Sequence, residues 1–143
     1  MITDVFDPTL INGKLFCDDR GYVKAINDLD LSEFKRFYLV ENHSKNYIRA
    51  WHAHNKEIKG VICLQGSALV GAVELCTETI SKQVLTSQSP QIYIIPAGYA
   101  NGFKTLTDDC LLMFLSSSTL GESASDDERY PWDKWDIWGE DYR

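Results

Sequence analysis

The sequence lacks the features that would direct a chain into a membrane, out of the cell or onto nucleic acid. No apolar run approaches the roughly 20 residues that span a bilayer, and the opening "MITDVFDPTL" has acidic residues where a secretory signal would carry positive charge. Cytoplasmic residence and no membrane partner are therefore expected. No basic cluster offsets the net charge of −7, so a phosphate backbone would be repelled and no nucleic-acid partner is expected. An acidic exterior still permits a diphosphate ligand where a few cations converge inside a pocket. The four cysteines, Cys17, Cys63, Cys76 and Cys110, form no CxxC pair. Cys63 and Cys110 sit in the apolar runs "VICL" and "CLLMFL", as reduced thiols acting as small hydrophobes would. There is no Gly-rich phosphate loop and no G-x-S-x-G elbow, which leaves phosphoryl transfer and serine hydrolysis without support.

What is present reads as one all-β domain over residues 1–143. The length suits a single domain with a real core, and 44% hydrophobic with 24% charged residues is a globular composition. Short strand-favouring runs alternate with turn signals: "YVKAI", "KRFYLVEN", "YIRAWHAH", "GVICLQGSALVGAVEL", "KQVLTS", "QIYIIPAG", "NGFKTLT" and "CLLMFLSSS". Eight or nine strands are expected, with "LDLSEFKR" alone briefly helical. Gly66 falls at a hairpin turn, and Gly71 inside a strand marks a bulge or a close backbone approach. Evenly spaced strands without helical crossovers point to a sandwich, jelly roll or small barrel whose interior is the natural site. Residues 119–143 form an acidic tail whose Trp132, Trp135 and Trp138 are expected to pack.

The chemistry concentrates in "RAWHAH". On a regular strand His52 and His54 share one face while Trp51 and Ala53 take the other, and Arg49 falls with Trp51 unless a bulge intervenes. Three readings stand side by side: a solvated face, a metal site and proton transfer. A metal would need more ligands than one HxH supplies, with Glu57 within reach and His43 expected in a loop. Proton transfer needs an imidazole near neutrality and a cation beside the developing enolate, for which Arg49 and Lys59 are candidates.

Read in order, "DDRGYV", "FYLVENHS", "RAWHAH", "KGVICLQGSALVGAVEL" and "YIIPAGYANGF" resemble the cupin-fold enzymes of nucleotide-linked 4-keto-6-deoxy sugars. These are the dTDP-4-dehydrorhamnose 3,5-epimerases and the dTDP-sugar 3,4-ketoisomerases, and the resemblance runs from about Asp18 to Trp132. It implies a cupin-type jelly-roll β-barrel, a homodimer, and no metal or organic cofactor. It also implies a role in cell-surface polysaccharide or glycan assembly. His52 matches the general base, and Arg49 and Lys59 match substrate-binding residues. Arg20 matches the arginine that contacts the diphosphate, often from the neighbouring subunit, and Asn42 an asparagine lining the site. His54 resembles the second histidine of the ketoisomerases.

Three departures matter. Asn101 stands where the epimerases carry histidine, "SSSTLGES" lacks their tyrosine, and their C-terminal Lys-Asp segment has no counterpart here. A reaction with one deprotonation face survives these losses, using His52 as base and His54, Tyr99 or water as returning acid. Glu74 is a candidate carboxylate for His52, and Arg129 for a phosphate. The expectation is an epimerase-like isomerase. Its rivals are a 3,4-ketoisomerase, a non-catalytic sugar-nucleotide binder and a metal-dependent cupin.

Overall fold

Alternation of inward and outward side chains builds the strands. In "RFYLVE" Arg36, Tyr38 and Val40 turn inward while Phe37, Leu39 and Glu41 stay exposed, the two-residue period of a strand with one face on the core. The computed structural model describes residues 2–140 and 143. In chain order its strands are β1 (Thr9–Asn12), β2 (Lys14–Asp18), β3 (Gly21–Ala25), β4 (Arg36–Glu41), β5 (Ile48–His54) and β6 (Lys59–Gln65), followed by β7 (Ser67–Glu74), β8 (Ile80–Thr86), β9 (Gln91–Ile95), β10 (Tyr99–Thr105) and β11 (Leu111–Ser116). A short helix α1 (Leu120–Ala124) and β12 (Glu128–Arg129) complete the chain.

Two five-stranded antiparallel sheets result, ordered β1-β9-β6-β11-β4 and β12-β5-β10-β7-β8, with β2 and β3 as a separate hairpin. Val61, Leu112 and Phe114 of the first sheet meet Val70, Leu85 and Phe103 of the second in the shared core. The protein is therefore all-β, with facing sheets compatible with a jelly roll. The expected closed barrel is not formed among the described residues, because β1, β4, β8 and β12 remain edges. No described helix is long and apolar enough to cross a membrane.

Among the described residues twelve strands replace the expected eight or nine, the excess lying in short pieces such as the two-residue β12. "LDLSEFKR" gives only a 3-10 turn at Leu31–Glu33, where Asp30 accepts the Ser32 N–H, before β4 begins. Helix α1 went unread although Thr119 and Glu122 form a capping box. Gly66 has a φ of +71°, yet it turns a corner between sheets, since β6 and β7 belong to different ones.

The tail packs as expected at two of its three tryptophans. Trp135 and Trp138 are buried with Trp51, Ala53, Val73 and Ala100 on the outer face of the second sheet, whereas Trp132 is 48% exposed. The Trp132 carbonyl accepts the indole N–H groups of both Trp51 and Trp138. Gly71 makes the close approach: a Cβ there would lie 2.7 Å from the Trp51 ring and 2.6 Å from Ile137. All four cysteines are unpaired, with Cys63 and Cys110 buried.

Candidate active site

The site begins with a miscount between two strands. His54, Ala53 and His52 of β5 pair with Tyr99, Ala100 and Asn101 of β10, but the next pair is Arg49 with Phe103. β5 thus takes three steps where β10 takes two, and Ala50 and Trp51 lie opposite Gly102 in a bulge that contains a cis Ala50–Trp51 peptide bond. Glycine is required there, since a Cβ would stand 2.5 Å from the Ala50 Cβ. The bulge reverses the parity expected of a regular strand. Arg49 joins His52, Tyr38, Lys59, Asn101 and Phe103 around a cavity of about 210 Å³.

A second cavity of about 340 Å³ shares Tyr38, His52 and Lys59 and adds Arg36, His54, Asp127 and Arg129. β12 pairs with β5, Arg129 opposite His52, and so brings the tail segment beside the histidines. His52 Nδ1 stands 3.8 Å from Asp127 Oδ1, and Asp127 Oδ2 accepts from Arg129 Nε at 3.1 Å. Burial, followed by the charges of Lys59 and Arg129, pushes the His52 imidazole below its usual range, and Asp127 opposes this only in part. At neutral pH His52 is a neutral base.

Lys59 is buried, 7% exposed, with its Nζ donating to the Tyr38 hydroxyl at 3.0 Å above the Tyr38 and Phe114 rings. Among the described residues no carboxylate pairs with it. A shielded ammonium held only by a phenol and ring faces is electrostatically incomplete, and an oxygen gaining negative charge in the cavity would complete it.

His54 is 4% exposed, with Nδ1 2.7 Å from the Asp126 carbonyl and 3.0 Å from Glu57 Oε2. Asp126 pins the tail segment, its carboxylate accepting the backbone N–H groups of Asn55, Lys56 and Glu57. Those bonds hold its pKa below the usual value against the opposing effect of burial.

The other sequence-derived residues divide. Asn101 lines the cavity and donates to the His52 carbonyl at 3.2 Å. Asn42 stands behind the site, where its Oδ1 accepts from Arg49 Nε at 2.7 Å and aims the guanidinium. Arg20 is far exposed at the β2–β3 turn, bonded to Asp18 and outside both cavities of its own chain. The buried Tyr99 hydroxyl donates to the Phe6 carbonyl, and the Glu74 carboxylate is taken by Thr77. The carboxylate nearest His52 in these contacts is Asp127. Glu57, weighed as a metal ligand, serves His54 Nδ1, and no metal-holding cluster occurs among the described residues. Sequence reasoning missed Tyr38, whose signal was the alternation in "RFYLVE", and Asp127, for which "DDER" offered no local sign.

Two facing antiparallel sheets with a neutral imidazole, a lysine that no described carboxylate pairs and a phenol in adjoining cavities define a β-sandwich protein equipped for proton transfer. The chain belongs to the family FdtA, described as "WxcM-like, C-terminal", which it matches over residues 7–130. It is 30% identical over 118 residues to a TDP-4-oxo-6-deoxy-alpha-D-glucose-3,4-oxoisomerase of Aneurinibacillus thermoaerophilus, covering 80% of this chain and 81% of that protein. It is 28% identical over 121 residues to the dTDP-4-dehydrorhamnose 3,5-epimerase of Escherichia coli, covering 74% of this chain and 65% of that one. Among solved structures, the 3,4-ketoisomerase QdtA of Thermoanaerobacterium thermosaccharolyticum in complex with TDP superposes with a TM-score of 0.71 at 25% identity, covering 88% and 90% of the two chains.

Proposed function

We propose that this protein isomerises a nucleotide-linked 4-keto-6-deoxy sugar by proton transfer inside a cupin-type jelly roll. The observation that carries the reading is the neutral His52 beside the unpaired Lys59, a base and an electrophile sharing one cavity. His52 removes the proton at C3, next to the ketone, and the electron pair moves onto O4, where Lys59 and Tyr38 supply positive charge and a hydrogen bond. Protonating C3 from the opposite face gives an epimer. Protonating C4 while the O3 proton passes to O4 moves the ketone to C3. Both outcomes are redox-neutral, so neither demands an electron acceptor. The keto shift is favoured because His52 and His54 line the same cavity from one strand, so a single side can both take a proton and return one. Asn101, standing where the epimerases place a histidine, supports the same choice.

Proton NMR of dTDP-4-keto-6-deoxyglucose in deuterated water tests this. The expected result is loss of the C3 proton signal and formation of a 3-keto sugar. A product altered only in configuration at C3 or C5 would make the protein an epimerase, and tight dTDP binding without exchange would make it a silent binder.

The proposed working unit is a homodimer with Arg20 reaching the partner's diphosphate site. In support, the isolated β2–β3 hairpin exposes Leu15, Phe16, Tyr22 and Val23, and the edge strand β4 exposes Phe37 and Leu39. A two-stranded hairpin with bare apolar side chains is marginal unless something covers it. Light scattering is expected to give twice the chain mass, and a fully active monomer would remove the proposal.

A further inference from the structure

Glu57 lies between β5 and β6 with its side chain wholly shielded from solvent, a costly place for a carboxylate unless donors surround it. Four donors do, from four elements. Ser116 Oγ of β11 and Arg36 Nη2 of β4, at 3.5 Å, bond Oε1, while Ser123 Oγ of α1 bonds Oε2 at 3.1 Å. His54 Nδ1 of β5, hydrogen-bonded to the Asp126 carbonyl, stands 3.0 Å from Oε2 as an ion-pair contact. Nothing in the reaction above touches Glu57 directly.

The partners of His54 decide where its proton moves. Nδ1 faces only acceptors, the Asp126 carbonyl and the Glu57 carboxylate, so it carries a hydrogen whether the ring is neutral or charged. Only Nε2 can gain or lose one. That atom is buried without a hydrogen-bond partner among the described residues, on a ring that lines the cavity with His52 and Lys59. We propose that Glu57 is a positioning residue which, through Nδ1, makes His54 Nε2 the acid that protonates C4. His52 keeps the proton taken from C3 and, after product release, loses it to solvent as His54 Nε2 regains one. This rests on the proton-transfer reading of the cavity.

The electrostatics are those of a charge held in balance. Glu57 and the Asp126 carboxylate favour the charged ring from β5's own end and from the tail, and Asp127 adds to them across the cavity. Arg36, which shares Glu57, opposes it, as do His52, Lys59 and Arg129. Tyr99, opposite His54 on β10, is engaged with the Phe6 carbonyl. A carboxylate and a carbonyl against Nδ1 leave Nε2 as the ring atom that exchanges its proton with carbon.

The test combines kinetics with ¹⁵N-histidine NMR of the full chain, whose three histidines are assigned with His54→Asn. Wild type is expected to show neutral His54 as the Nδ1–H tautomer. Glu57→Gln should lower kcat about 100-fold with dTDP binding retained, move the acid-requiring limb of the pH–rate profile down, and add little further loss in a His54→Asn background. Losses that multiply in the double variant would reduce Glu57 to a structural role and overturn the proposal. Should Glu57→Gln fail to fold, Ser123→Ala removes one donor from Oε2, strengthens the carboxylate and should move the same limb upward; a downward shift overturns the pairing. A neutral Nε2–H tautomer in wild type overturns it whatever the sugar. The Nδ1–H tautomer together with a wild type inert toward the sugar would overturn the substrate reading and leave the pair standing.

Discussion

His52→Asn is expected to lower turnover of the keto sugar by about 100-fold or more while leaving dTDP affinity within about threefold. The size follows from the proposed role, because loss of a general base removes the step that starts the chemistry, whereas Arg20, the proposed diphosphate contact, lies outside the His52 cavity of its own chain. Parallel measurement of kcat and of dTDP binding by calorimetry checks both halves. A variant retaining more than a tenth of the wild-type rate would sink the assignment. The pH dependence has a defined sign. Burial first, then Lys59 and Arg129, hold His52 below the ordinary imidazole range, and the neutral form is the base. As pH rises, kcat/KM climbs through that lowered value and levels off above it. The same depression means that the unfolded chain binds this proton more readily, so stability falls as pH drops from the ordinary imidazole range through the folded value.

Trp51→Ala should cost about 3–5 kcal/mol, a large share of the roughly 5–15 kcal/mol that holds a domain together. Trp51 is 1% exposed, its ring centroid 5.6 Å from Trp135 in an edge-to-face contact and 5.1 Å from Trp138. It also donates its indole N–H to the Trp132 carbonyl at 3.1 Å. Truncation leaves a cavity between sheet and tail and unpairs that carbonyl from one of its two indoles. Because the tail carries Asp127 and Arg129 to the histidines, activity should fall even where the variant stays folded. Denaturant unfolding against wild type gives the measurement, with Trp51→Phe expected to recover more than half of the loss. A change under about 1 kcal/mol for the alanine variant would mean that the tail is held elsewhere.

These two residues, neighbours in the chain, show what can be read locally. Two-residue alternation sent His52 toward the site and Trp51 toward the tail, and the acidic tryptophan-rich segment was legible as packing material because buried indole area is hard to forgo. The same rule misplaced Arg49, since the bulge that restores it to the cavity depends on Gly102, a residue of another strand. Gly66 was legible as a turn, yet whether a turn closes a hairpin or crosses between sheets depends on which strands pair on either side.

By itself the sequence determined the all-β character, the shared face of the two histidines, the buried free thiols and the family resemblance, because each is written in local period, composition or spacing. Only the tertiary structure decided that Asp127 attends His52, that Glu57 attends His54, that Asn42 aims Arg49 and that Lys59 lies buried beside Tyr38 with no carboxylate partner among the described residues. Those relations join residues far apart in the chain. They are set by strand register, a bulge and the docking of the tail, where the energy depends on surfaces meeting in space and no local pattern records it.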